Sequence, residues 1–224
     1  RKGSEAIIAD IFSSRTISLS FLARIEGVVV LSGSSTSDSL DDQTDHPMFV
    51  RTVPSDSAAS VIMIKYLKSI GHTHLGVLHE PSEYGYNYCK TLTEKGVEYE
   101  LAILCHAYSD SDDDGYSIRK ALEKLKKESD IHSFNSFVAI GYSTELNFIV
   151  EHAMDVGIMG PGYLWMYGDG FSSNDFLDRG AGGSHYTPQM IEGLQGSIRL
   201  AARGGVQSMA GDTRYDKFMK YWKD

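Results

Sequence analysis

The side chains best suited to act on a small molecule are hydroxyls and carboxylates spaced through the chain. Ser32-Gly33-Ser34-Ser35-Thr36-Ser37 is a hydroxyl-rich turn directly after the apolar run 28–31. Hydroxyls and free backbone N–H groups of this kind suit an anion, above all at a helix start. Asp56 follows Pro54 and opens a helical pattern, Glu83-Tyr84-Gly85 follows the apolar run 75–78, and Asp169-Gly170 follows the run 163–167. A carboxylate and an aromatic face are groups that hold an ammonium, and a desolvated cation–π contact contributes about 2 kcal/mol. Each position also has a plain structural reading. The hydroxyl run by itself reads first as a solvated turn with an N-cap. Asp56 reads as the N-cap of the helix after it, Tyr84 as strand-end packing, and Asp169-Gly170 as a common turn. Their shared order and spacing, rather than any one of them, points to a ligand site.

Covalent and metal chemistry find less support. The chain has no G-x-S-x-G elbow, no Walker loop, no His-Glu-x-x-His and no G-x-G-x-x-G after a strand. No catalytic residue, cofactor or metal is therefore assigned, and the chain is not expected to be an enzyme. Asp110-Ser111-Asp112-Asp113-Asp114-Gly115 matches the first half of a calcium loop, but Ala121 stands where the bidentate Glu belongs. An acidic loop capping the helix from Tyr116 is the favoured reading. His72 and His74 share a strand face with no third ligand in view. Cys89 and Cys105 stand on a predicted helix and the strand after it. A disulfide, contributing about 3 kcal/mol, and two buried thiols fit the sequence equally.

Positioning these groups requires a frame, and the apolar pattern supplies one. Short strands are expected at 6–8, 28–31, 75–78, 98–104, 137–140 and 163–167. Between them lie helices at 57–69, with Val61, Ile62, Ile64, Leu67 and Ile70 inward and Gly71 as stop, and at 86–95, ended by Gly96. Further helices are expected at 116–127, with Ile118, Leu122 and Leu125 inward, at 144–156 before Gly157, and at 215–222. Such alternation is the signature of an α/β fold with a parallel sheet flanked by helices. Ligands in these sheets bind off the carboxyl ends of the strands. Those ends carry residues 32–36, Glu83 and Tyr84, Tyr142 and Ser143, and Gly168 and Asp169.

Bulk properties narrow the class. With 42% hydrophobic and 23% charged residues among 224, the chain is an ordinary globular one, long enough for a sizeable core. A net charge of −9 argues against a nucleic-acid surface. No run of about 18 apolar residues is present, so membrane association is expected only through segments outside this chain. Arg1-Lys2-Gly3 leads straight into the strand at 6–8, without the pattern of a signal peptide. The chain is accordingly expected to be a segment of a longer precursor that lacks the first part of its fold.

The order LSGSSTSDSLDD, MFVRTVPSD, VLHEPSEYG and YGDGF resembles the receptor-family ligand-binding region. That family covers the Venus-flytrap ectodomains of class C G-protein-coupled receptors, receptor guanylate cyclases and ionotropic glutamate receptors, with kin among periplasmic amino-acid-binding proteins. The likeness is strongest over residues 28–84 and is closest to the metabotropic glutamate type. It implies that Ser13, Ser34 and Thr36 meet the α-carboxylate and α-amino group of an amino acid. It further implies that Asp56, Tyr84 and Asp169 meet the ammonium, and Ser143, from its place at a strand end, is taken as a further ligand contact. Basic residues for a distal carboxylate are not evident: Asn174 and Asp175 follow Gly170-Phe171, and Arg179 is the nearest base.

The expectation is thus a periplasmic-binding-protein-like type 1 fold with two lobes, each a parallel sheet flanked by helices. Residues 1–72 would form the later part of lobe I, 73–198 lobe II, and 199–224 a return segment. The implied function is extracellular sensing of a small polar ligand, an amino acid or derivative, by closure of the lobes on the outer face of the plasma membrane. A homo- or heterodimer is expected from the resemblance. The alternatives are a soluble periplasmic binding protein of a transporter, and a ligand-free dimerisation or peptide-binding module.

Overall fold

The computed structural model describes residues 5–109, 115–172, 176 and 186–200. Two parallel sheets organise them. In the first, β2 (Val29–Ser32) lies between β1 (Ala6–Ile8) and β3 (Phe49–Arg51). The crossover from β1 to β2 is α1 (Ser13–Glu26), which stops at Gly27 in the left-handed conformation (φ 65°), its N–H closing on the Ala23 carbonyl. A small core of Ala23, Val30, Leu40 and Phe49 joins helix and sheet.

The second sheet begins after α2 (Asp56–Ser69) and is built from five parallel strands. In chain order they are β4 (His74–His79), β5 (Ala102–Ala107), β6 (Ser136–Ile140), β7 (Leu164–Tyr167) and β8 (Ile198–Arg199). In space the order is β5-β4-β6-β7-β8. The crossovers are α3 (Glu83–Glu98), α4 (Tyr116–His132), α5 (Leu146–Asp155) and α6 (Pro188–Gly193). Because strand side chains alternate, β6 serves both faces. Phe137 and Ala139 enter the core under α4 and α5, while Val138 and Ile140 enter the core under α2 and α3. Gly76 on β4 makes room for the Phe137 ring, since a Cβ there would lie 2.7 Å from it.

Most predicted elements are present, and the departures have physical causes. In α2 the buried stripe is Ser60, Met63, Ile64 and Leu67, the i, i+3, i+4, i+7 set. Ile62 and Ile70, expected inward, lie off that stripe and are 60% and 48% exposed. The stripe joins Leu75, Val77 and Tyr88 in one core, so the buried side of α2 packs with the second sheet. Gly96 does not end α3. A Cβ there would approach Ile103 and the Leu101 carbonyl at 2.6 Å, so glycine is what lets the helix lie close on β5. The helix runs on to Glu98, and β5 starts at Ala102 instead of 98. Cys89 on α3 and Cys105 on β5 form a disulfide with their Cα atoms 6.4 Å apart, inside the usual range. His74 stacks on His132 and Phe134. The helix expected at 215–222, the acidic residues 110–114, and Asn174, Asp175 and Arg179 lie outside the described residues.

Candidate ligand-binding site

The carboxyl ends of both sheets converge on one cleft, as the strand-end pattern leads one to expect. From the first sheet, β2 ends at Ser32 and releases the hydroxyl turn. Ser32 itself is buried, and its Oγ accepts from the backbone N–H groups of Ser34 (3.2 Å) and Ser35 (2.9 Å). This folds the turn back toward α1, where Ser35 Oγ donates to Thr16 Oγ1 (2.7 Å) and Ser13 Oγ accepts from the Ser37 N–H (3.3 Å). Arg51, at the end of β3, braces the turn from beneath. Its guanidinium donates to the carbonyls of Ser35 (3.4 Å) and Ser37 (2.9 Å) and pairs with the Asp41 carboxylate.

From the second sheet, β4 runs into Glu80, whose carboxylate is almost fully buried. It accepts from Ser82 N–H (2.7 Å), Ser82 Oγ (2.6 Å) and Gly85 N–H (2.6 Å), and so ties down the first turn of α3. Gly85 is required there, because a Cβ would lie 2.1 Å from the Glu80 carbonyl oxygen. This anchoring sets Tyr84, whose hydroxyl donates to Asp169 Oδ1 at 2.8 Å. Burial first, and the Asp169 carboxylate second, hold the Tyr84 hydroxyl well above its ordinary range, so it stays a neutral donor. Its ring lies 5.7 Å from that of Tyr142, which in turn meets Phe12 edge-on at 5.4 Å.

A small cavity of about 60 Å³ lies where these pieces meet. Ser13, Ser34 and Thr36 line it from the first sheet, and Tyr84, Tyr142 and Asp169 from the second. Thr36 and Asp169 also border a second cavity of about 230 Å³, which Asp56 lines. Asp56 is the first residue of α2 and only 1% exposed. Its N–H donates to the Thr36 carbonyl (2.9 Å), and neither carboxylate oxygen has a hydrogen-bond partner among the described residues. Burial drives its pKa up to about 8, with the Asp169 and Asp38 carboxylates adding to the rise. The Thr36 hydroxyl and Arg51 pull the other way, but the hydroxyl falls short of hydrogen-bond geometry with either oxygen. A cation entering this space meets a carboxyl group ready to ionise.

The structure thus brings Ser13, Ser34, Thr36, Tyr84 and Asp169 around one cavity, with Asp56 on the adjoining one. Ser143 borders neither. It opens the turn after β6, and its Oγ accepts from the Ser172 N–H at 3.1 Å. Sequence reasoning passed over Arg51 and Glu80, though Arg51 stands inside the quoted FVRTVPSD and Glu80 at a strand end before a helix. It also passed over Asp38. That carboxylate accepts from Ser57 N–H (3.2 Å) at the start of α2 and from Thr91 Oγ1 (2.8 Å) on α3. Beside it, Asn87 Nδ2 donates to Ser37 Oγ (3.0 Å) and Ser39 Oγ (3.2 Å). Together these bonds fasten the hydroxyl turn to the helices of the second sheet.

Comparison with known proteins bears on the family and the fold. A metabotropic glutamate receptor of Drosophila melanogaster is 23% identical over 97% of this chain, and a probable metabotropic glutamate receptor of Caenorhabditis elegans is 22% identical over 99%. The chain spans only 22% and 21% of the length of those relatives. Among solved structures, an ABC transporter substrate-binding protein of Desulfitobacterium hafniense in complex with Leu superposes with a TM-score of 0.59 at 21% identity. The match covers 75% of this chain and 48% of that one, and shares the periplasmic-binding-protein-like fold. Residues 2–219 match the receptor family ligand binding region, and the chain belongs to that family.

Proposed function

We propose that this chain is the ligand-sensing part of an extracellular receptor domain, taking an amino acid or close derivative between two lobes and signalling by their closure. The first lobe is built on β1–β3 and the second on β4–β8 with α2. The ligand carboxylate lies against Ser13, at the positive end of α1, and Ser34. Its ammonium faces Asp56, Asp169 and the Tyr84 ring, and Thr36 lies between the two groups. Contacts from both lobes make the closed form depend on ligand, because a ligand shifts an equilibrium only by its differential affinity for the two states. The bonds from Asp38 and Ser37 to α3 are formed or broken in that movement. Dimerisation through the first lobe and output through a membrane-spanning part of the same receptor belong to this reading.

The observation that carries it is Asp56. A carboxyl group at 1% exposure with both oxygens unpartnered among the described residues is costly to keep, and an arriving ammonium is the partner that removes the cost. The names of the relatives, which concern glutamate, and the leucine in the solved relative support the amino-acid class. The test is a thermal-shift screen of the full chain against the standard amino acids, repeated with Thr36→Ala and Asp56→Asn. Ligand at 100 times its dissociation constant adds about 2.7 kcal/mol of stability. A shift present in the wild type and absent in both variants supports the site. A folded chain that responds to no amino acid, or a shift indifferent to both substitutions, rejects it.

A further inference from the structure

Resting on the amino-acid reading of the site, we infer that the preferred ligand carries an uncharged, apolar side chain that enters the larger cavity beside Asp56. That cavity adjoins the small polar one, with Thr36 and Asp169 bordering both. Beyond Asp56, Thr36 and Asp169 its walls are Pro54, Ser55, Ala58, Ala59, Ile62, Tyr88 and Leu200, apolar apart from the serine and tyrosine hydroxyls. Its volume of about 230 Å³ compares with the roughly 150 Å³ of an apolar protein cavity that takes up benzene. A branched aliphatic or single-ring side chain therefore fits, with room left over.

Charge on the described residues weighs against the alternative. Among the described residues no Lys, Arg or His lines either cavity, while Asp56 and Asp169 do and Asp38 lies close enough to act on Asp56. A glutamate or aspartate ligand placed with its ammonium at Asp56 would bring its second carboxylate among these acids and against apolar walls. Removing that charge from water without a counter-ion is strongly unfavourable. The Ala58 and Ala59 methyls, on the first exposed turn of α2, are what keep the cavity open. Residues at these two positions act here as selectors of side-chain size.

The inference is tested by calorimetric titration of the wild-type chain with glycine, alanine, leucine, phenylalanine, glutamate and lysine. Each buried methylene adds about fourfold to affinity, so leucine or phenylalanine should bind at least tenfold more tightly than alanine, with glutamate weakest. Ala59→Phe, filling the cavity, should weaken leucine at least tenfold more than it weakens alanine. Tightest binding of glutamate or lysine, or equal binding of alanine and leucine, overturns the inference and leaves the amino-acid reading standing. Absence of binding by all six to a folded chain removes both. If Ala59→Phe does not fold, the wild-type ranking alone decides.

Discussion

Asp56→Asn should stabilise the unliganded protein while abolishing ligand binding, and the gain should depend on pH in a defined direction. The carboxyl group titrates near pH 8 in the folded chain, against about 3.9 in an unfolded one. A folded pKa above the unfolded value means the native state holds its proton more tightly. The associated stability is complete below about pH 3.9, falls as pH rises, and is fully lost above about pH 8. At pH 7 the difference is roughly three units, or about 4 kcal/mol at 1.36 kcal/mol per unit. Asparagine has nearly the same shape and no charge, so it escapes this penalty. Its amide group, left without a partner, costs about 1–3 kcal/mol in turn. The net gain at pH 7 is then about 1–3 kcal/mol, or roughly 2–4 °C in Tm per kcal/mol for a chain of this size. Paired urea melts of wild type and variant from pH 5 to pH 8 provide the assay. The variant's advantage should widen by about 3–4 kcal/mol over that range. An advantage independent of pH, or a variant less stable than wild type at pH 8, would refute the argument that Asp56 is held unpaired at a cost.

The same carboxyl group makes binding proton-linked. An ammonium ligand favours the ionised form, so affinity should fall about tenfold per pH unit below pH 8. Titrations in buffers of differing ionisation enthalpy should then register close to one proton released at pH 7. Removing the disulfide with Cys89→Ser and Cys105→Ser together should lower stability by about 3 kcal/mol, measured by urea melts of the oxidised wild type and the variant. Gly85→Ala should lower stability by about 1–3 kcal/mol, because its methyl group would meet the Glu80 carbonyl at 2.1 Å, and it should weaken ligand binding by moving Tyr84. Thr91→Val removes the hydroxyl that Asp38 accepts from while keeping the shape, and small-angle scattering of the unliganded variant should show a more open cleft than wild type.

From α2 to β7 the order of elements was legible because it is a local property. An apolar run such as 137–140 between helical patterns specifies a strand buried on both faces, and four of its residues divide between two cores as alternation requires. Helix α4 follows its pattern too, with Ile118, Leu122 and Leu125 buried, although it extends to His132 instead of 127. The hydroxyl turn, Asp56, Tyr84 and Asp169 were each found at a strand end or helix start, where their chemical types and the fold class place binding groups. Glycine was the residue least well read. Gly71 and Gly157 have positive φ after their helices, yet Gly96 lies inside one, because its role is a close approach to Ile103 that no local pattern reveals.

What the sequence determined by itself, then, is the set of building pieces and the chemical types available to a site: hydroxyls from one sheet, acids and aromatics from the other. Tertiary structure decided which of them share a space. It turned the Met63 side of α2, rather than Ile62 and Ile70, onto the second sheet. It joined Cys89 to Cys105, left Ser143 off both cavities, and buried Asp56 beside Asp169 and Asp38, raising its pKa to about 8. Spacing along a chain records the period of one helix or strand. Burial, electrostatic repulsion and cavity volume depend on distances between residues far apart in that chain, and these exist only once the two sheets have packed around a common cleft.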